Sequence, residues 1–129
     1  MEIKILPREI VLVAKNHQSL IDWYINNLNF KIINNFPDIK YCYLETDSGI
    51  KIGIADMEEL GNKNYSKRIM NTVILQICTN DLKSLFKKIK KNGGSVLFGP
   101  SFDEGDKYWY GSFTDIEGNE IWVVDENCP

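Results

Sequence analysis

The chain has 129 residues, 43% apolar and 26% charged, the profile of one globular domain and not of a fibre, a disordered tail or a membrane span. A formal charge of -3 provides no basic face for phosphate contacts, so no nucleic-acid partner is expected. No run approaches the roughly 20 apolar residues of a membrane helix, and the start MEIKILPREI lacks the apolar core and cleavage site of a leader, so no membrane partner and a cytoplasmic location are expected. The cysteines Cys42, Cys78 and Cys128 form no C-x-x-C pair, which predicts neither a disulfide framework nor a zinc knuckle.

Residues 9–14 (EIVLVA) form a short β-branched run that predicts a buried strand. Asn16 can cap the next element, a helix over 18–28, in which Leu20, Ile21, Trp23, Tyr24, Ile25 and Leu28 recur at spacings of three and four. Strand-like runs follow at 30–36, 41–46 and 50–55, separated by Pro37-Asp38 and Asp47-Ser48-Gly49, residues suited to tight turns. Residues 57–71 carry few apolar anchors and predict a linker or lid, with room for one helical turn. The order then restarts: a strand over 72–78, Asn80 as cap, a helix over 81–92 stopped by Gly93-Gly94, and strands at 95–98, 107–114 and 120–125. Turns are expected at Gly99-Pro100 and Glu117-Gly118.

The second half repeats the first residue by residue. A shift of 65 places Ser19-Leu20 on Ser84-Leu85, Ile21 on Phe86, Tyr24 on Ile89 and Glu9 on Ile74. At the far end TDSGIKIGIAD (46–56) matches TDIEGNEIWVVD (114–125) with one inserted residue, which pairs Gly53 with Trp122 and Asp56 with Asp125.

The segments SLIDWYINNLNFKI (19–32), KKIKKNGGSV (87–96) and FTDIEGNEIWVV (113–124) make the chain resemble the vicinal oxygen chelate superfamily of glyoxalase I, extradiol dioxygenases and bleomycin-resistance proteins. Ile116 replaces the proline usual in the family's closing hairpin. The resemblance spans about residues 8–126 and implies an α+β fold: one domain of two tandem β-α-β-β-β modules (8–56 and 72–126) forming a cup-shaped mixed sheet with helices outside. It also implies a homodimer. It does not choose an activity, because the superfamily includes lyases, isomerases, dioxygenases and metal-free binders.

Enzymes of that family hold a divalent metal, a Lewis acid for paired substrate oxygens, on four side chains. Carried over by resemblance, those positions are Glu9, Gly53, Ile74 and Trp122. Only Glu9 can ligate, and sliding the alignment by one or two residues places no better set. The only histidine, His17, lies at a helix start away from these positions. No metal and no cofactor are therefore expected, and a rebuilt site would need Asp56, Asp125 or a partner chain. Glu9 keeps its alternatives: a carboxylate in an apolar cup whose pKa rises to make a general base or that pairs with a cationic ligand, or a solvated strand edge.

Trp122 at a former ligand position would fill metal space and offer a stacking surface. With Trp109, Tyr110, Tyr43, Tyr41, Phe102 and Gln76 it makes up the expected ligand-binding set, although alternation sends Tyr108, Trp109 and Tyr110 to opposite sheet faces. The loop FDEGD (102–106) is a solvated turn or a lure for cations, and Asp115 with Gly118-Asn119 is a turn-former. Cys78, with no histidine near, is expected to be an inert thiol. The leading expectation is metal-independent binding of a flat or cationic small molecule; the alternative is a glyoxalase-type lyase or isomerase using a rebuilt metal site or Glu9.

Overall fold

The computed structural model describes residues 8–59 and 74–129. Within these the chain forms eight strands and two α-helices in two compact units, residues 1–66 and 67–129. Most of the expected linker, 57–71, lies outside the described residues; its first three residues form a turn after the fourth strand.

In the first unit, β1 (Ile10–Ala14) leads into α1 (His17–Leu28), followed by β2 (Lys31–Phe36), β3 (Tyr41–Glu45) and β4 (Lys51–Asp56). The sheet order is β1-β4-β3-β2, with β1 and β4 parallel and the other pairs antiparallel. Asn16 caps α1 as its residue type predicts, its side chain accepting from the Ser19 N–H at 3.2 Å. The helix ends at Asn29, which takes the left-handed conformation. Period-two alternation divides the sheet. Cys42, Leu44, Ile52 and Ile54 are fully buried and, with Leu20 and Tyr24 of α1, form the core of this unit. Tyr41, Tyr43 and Gly53 alternate with them and point to the opposite, open face. Between β2 and β3 the Pro37-Asp38 break is a 3₁₀ turn, Pro37–Ile39.

The second unit repeats the order: β5 (Leu75–Thr79), α2 (Leu82–Lys91), β6 (Ser95–Asp103), β7 (Tyr108–Thr114) and β8 (Glu120–Asp125), arranged β5-β8-β7-β6. The parallel pairs share their register across the repeat. Val11 stands opposite Gly53, and Gln76 opposite Trp122. Phe86 of α2 packs edge-on against Phe113, 5.8 Å between ring centroids, which marks the helix-covered face. Gly111 lies under the same ring: a Cβ there would meet Phe86 at 2.5 Å and the Phe98 carbonyl at 2.8 Å, so the close approach of helix and sheet requires glycine. No helix among the described residues is long and apolar enough to cross a membrane.

Two local expectations are corrected. The cap of α2 is Asp81, one residue after Asn80, because its carboxylate accepts from both the N–H (3.1 Å) and the hydroxyl (2.8 Å) of Ser84. The strand expected to end at a Gly99-Pro100 turn continues to Asp103, with the irregularity absorbed as a register shift between Phe98 and Ser101. Elsewhere the punctuation acts as its residues predict. Gly93, with φ +89°, stops α2 while the Gly94 N–H returns to the Ile89 carbonyl at 3.0 Å. The FDEGD loop is a turn in which Asp103 accepts from the N–H groups of Gly105 and Asp106.

The β7–β8 turn is held by Asp115, which is 2% exposed. Its carboxylate accepts from the backbone N–H of Glu117 (2.8 Å) and Asn119 (3.0 Å) and from the Asn119 side-chain amide (2.8 Å). Replacing Asp115 with Ala leaves these donors without their charged acceptor and is expected to cost about 2–3 kcal/mol, read as a lower urea midpoint at unchanged m-value.

Candidate functional site

Each unit presents an open sheet face, and the two faces differ. In the first, the positions to which the family's metal ligands carry over are Glu9 and Gly53. Glu9 continues the alternation of β1 two residues before Val11, on the face of Gly53. Tyr41 dominates this face. Its hydroxyl donates to Glu9 Oε2 at 2.6 Å, and its ring lies so closely over Gly53 that a Cβ there would be 1.7 Å from the phenol oxygen. Glu9 Oε1 meets the Arg8 guanidinium at 3.4 Å. Gly53 is thus the space into which Tyr41 leans to reach Glu9.

The electrostatics follow from that contact. The Tyr41 hydroxyl, with lesser help from backbone bonding and Arg8, holds the Glu9 carboxyl below its ordinary value against the upward push of burial. Glu9 is therefore an ionised acceptor and not the base of raised pKa that an apolar setting would make. Burial and then the Glu9 carboxylate push the Tyr41 phenol up. Tyr43 donates to Glu45, which with burial pushes its phenol up to about 12. Both tyrosines are neutral donors already engaged with carboxylates.

In the second unit the open face carries Trp122, Tyr110 and Gln76. Trp122 is 46% exposed, with Gln76 opposite it on β5 and Ser112 opposite on β7. Tyr110, two residues before Ser112, is a diagonal neighbour. The indole Nε1 donates to Glu120 Oε2 at 2.8 Å, and Ser112 Oγ donates to the same oxygen at 2.9 Å. The ring is therefore held at its Nε1 while nearly half of the residue stays exposed. Phe98 joins this face, 46% exposed and 6.0 Å from the Tyr110 ring. Cys78 is exposed there too; burial first, then the Glu126 and Asp125 carboxylates, push its thiol up, which suits an inert thiol.

Trp109 and Phe102 do not join Trp122, a correction to the expected set. Their rings pack tilted against each other at 5.1 Å on the face of Phe113, where the Lys83 ammonium of α2 lies 4.1 Å over the Trp109 ring. The reason is the alternation along β7, which sends Tyr108 and Tyr110 one way and Trp109 the other. Sequence reasoning also missed Glu120, Ser112 and Phe98. Glu120 had a signal, two residues from Trp122 on one strand; the other two depend on pairing register.

The carried-over positions do not fit the family's divalent ion. In the first unit they offer one carboxylate engaged by Tyr41 and Arg8 and a glycine beneath a phenol; in the second, Ile74 and an indole tied to Glu120. Among the described residues no group of three or more His, Cys, Asp or Glu side chains is placed to hold a metal. His17 serves the fold, its Nε2 hydrogen-bonded to the Ile54 carbonyl at 2.7 Å.

Two β-α-β-β-β units with parallel first and last strands define the fold class. The model of the Glyoxalase/Bleomycin resistance protein/Dioxygenase superfamily matches residues 8–123, and the chain belongs to that superfamily. Among solved structures it is similar to a hypothetical protein from S. aureus, with TM-score 0.74 and 20% identity over 95% of each chain. It is also similar to a glyoxalase/bleomycin resistance protein/dioxygenase family enzyme from Burkholderia phytofirmans, with TM-score 0.73 and 13% identity over 91% of this chain and 95% of that one. A glyoxalase I mutant from Zea mays gives TM-score 0.69 and 18% identity, with 93% of this chain covering 46% of that one. At these identities the likeness shows the fold. No curated protein matches the chain.

Replacing Tyr41 with Phe tests the control of Glu9. Its carboxyl should titrate higher than in the parent, followed by carboxyl-carbon NMR. Because the folded-state value is lowered, Glu9 contributes stability above its unfolded value and loses it as pH falls through the folded value. The stability gap between parent and Tyr41→Phe should therefore be widest near neutral pH and narrow in acid. An unchanged Glu9 titration would remove Tyr41 as the cause.

Proposed function

We propose that the protein binds a flat or cationic small molecule without a metal ion, on the open face of β5, β8 and β7, with Trp122 as the stacking platform. The observation that carries this reading is the exposed indole of Trp122, held by its Nε1 on Glu120 at a position where family enzymes place a ligand to metal. An oriented ring loses little conformational freedom when a ligand stacks on it, and Tyr110 and Phe98 extend the aromatic surface. Glu120 adds the preference for positive charge. Both donors it receives go to Oε2, which leaves Oε1 as an acceptor next to the indole, where a cation would gain from carboxylate and π-system together. Gln76 supplies an amide opposite the ring for polar groups of the ligand. The proposal includes a homodimer, which the family resemblance implies, and a cytoplasmic location, for which the unpaired cysteine pattern argues.

Screening planar cationic dyes by tryptophan fluorescence should find binders, and Trp122→Ala should weaken the best of them by about 1 kcal/mol or more, roughly fivefold in Kd. Equal affinity in parent and variant would overturn the stacking role. Elemental analysis of protein incubated with Zn, Ni, Mn, Co and Fe(II) should find no tightly held ion, and EDTA should leave dye affinity unchanged. About one retained ion per chain would overturn metal independence and favour a Lewis-acid enzyme.

A further inference from the structure

The first unit contains a cavity of about 470 Å³ at the carboxyl ends of β1 and β4, lined by Lys15, Asn16 and His17 where α1 begins and by Lys40 and Glu58. None of its lining residues belongs to the unit that carries Trp122. Asp56, the last residue of β4, lines the cavity and is only 5% exposed. Its Oδ2 accepts the Glu59 N–H at 3.2 Å; its other oxygen has no hydrogen-bond partner, and no cation lies within ion-pair distance, among the described residues.

The internal repeat shows that this vacant oxygen is specific to the first unit. Asp125 is the counterpart of Asp56, and there the protein satisfies both oxygens: Asn127 N–H donates to Oδ1 at 3.0 Å and Trp109 N–H to Oδ2 at 3.0 Å. Strand register makes Lys40 the counterpart of Trp109, since Tyr41 faces Ala55 as Tyr110 faces Val124. The Lys40 N–H, however, is turned away. The 3₁₀ turn at Pro37–Ile39 directs it to the Pro37 carbonyl at 3.3 Å, with Lys40 itself at φ +46°. One turn between β2 and β3 thus removes the donor that would close the carboxylate and leaves one oxygen of a largely buried aspartate open to the cavity it lines.

The rest of the lining carries both signs, two lysines and the acidic Glu58. Lys15 and Lys40 bring two ammonium groups, and the first turn of α1 adds the partial charge of its N–H groups. We propose that this cavity is a second binding site, for a small zwitterion whose ammonium sits on the free oxygen of Asp56 and whose carboxylate or phosphate meets Lys15, Lys40 and the start of α1. The volume lies within the range of small-molecule sites. A buried carboxylate short of one partner gains most from a charged donor. The inference is independent of the stacking function argued for Trp122.

The test is an NMR titration of the ¹⁵N-labelled full chain with glycine, β-alanine and O-phosphoethanolamine, and with ammonium chloride, sodium acetate and sodium phosphate as single-charge controls. The zwitterions should saturably shift amides at Lys15–Gln18, Lys40 and Asp56–Glu58, and the single-charge ions should bind more weakly. The carboxylate and phosphate arms identify which anion the two lysines prefer. Asp56→Asn retains an acceptor for the Glu59 N–H and should lower zwitterion affinity by about tenfold. The exposed pair Lys15→Ala/Lys40→Ala should lower it several-fold, and carries the test if Asp56→Asn fails to fold. Absence of saturable shifts at these residues with all three zwitterions would overturn the proposal, as would unchanged affinity in a folded Asp56→Asn. Controls that bind as well as the zwitterions would overturn it too, since the cavity would then be a site for single ions.

Discussion

A four-stranded sheet covered by one helix has one dry face and one open face, and alternation along the strands assigns side chains to one or the other, interrupted only where the pairing of β2 and β6 shifts register. Both units are built on that division. Cys42, Leu44, Ile52 and Ile54 go to the dry side of the first, and Phe113, Ile121 and Val123 to that of the second. Whatever chemistry the chain performs on its sheets is left to the residues between. A one-residue slip of β8 would bury Trp122 and expose Ile121 and Val123, so the core that stabilises the unit also aims the indole.

On this shared frame the two units have diverged by what fills the open face. In the first, a tyrosine spends its hydroxyl on Glu9 and its ring on Gly53, so the face is occupied by its own side chains. In the second, the bulk stands at Trp122, and the polar partner, Glu120, holds the ring by its edge. The same two alignment positions therefore give a closed, hydrogen-bonded surface in one unit and a presented aromatic surface in the other. The contrast between Asp56 and Asp125 has the same character. Identical residue types at equivalent strand ends differ because one neighbouring backbone N–H points home and the other into a 3₁₀ turn.

Much of the architecture was legible in the residues because it rests on local chemistry. Apolar spacing of three and four marked the first helix, Asn16 its start and Gly93-Gly94 the end of the second, and Asp115 with Gly118-Asn119 marked the closing turn. Where local signals competed, the reading erred by little: two adjacent side chains could cap α2, and Asp81 reached both Ser84 donors. Gly99-Pro100 carries turn residues, yet the pairing of β6 with β7 resumes beyond it, because cross-strand contacts outweigh one unpaired step.

By itself the sequence determined the duplicated β-α-β-β-β order, the face alternation and the absence of a histidine-rich ligand set from the carried-over positions. Only tertiary structure decided that Tyr41 covers Gly53 and lowers the Glu9 carboxyl, that Trp109 and Phe102 pack under Lys83 away from Trp122, and that Asp56 keeps a free oxygen. The physical reason is range. Periodicity, caps and turns are set by residues within a few positions of one another, whereas the partner of a carboxylate or ring is chosen by strand register and the direction of one N–H, which distant segments fix when they pack.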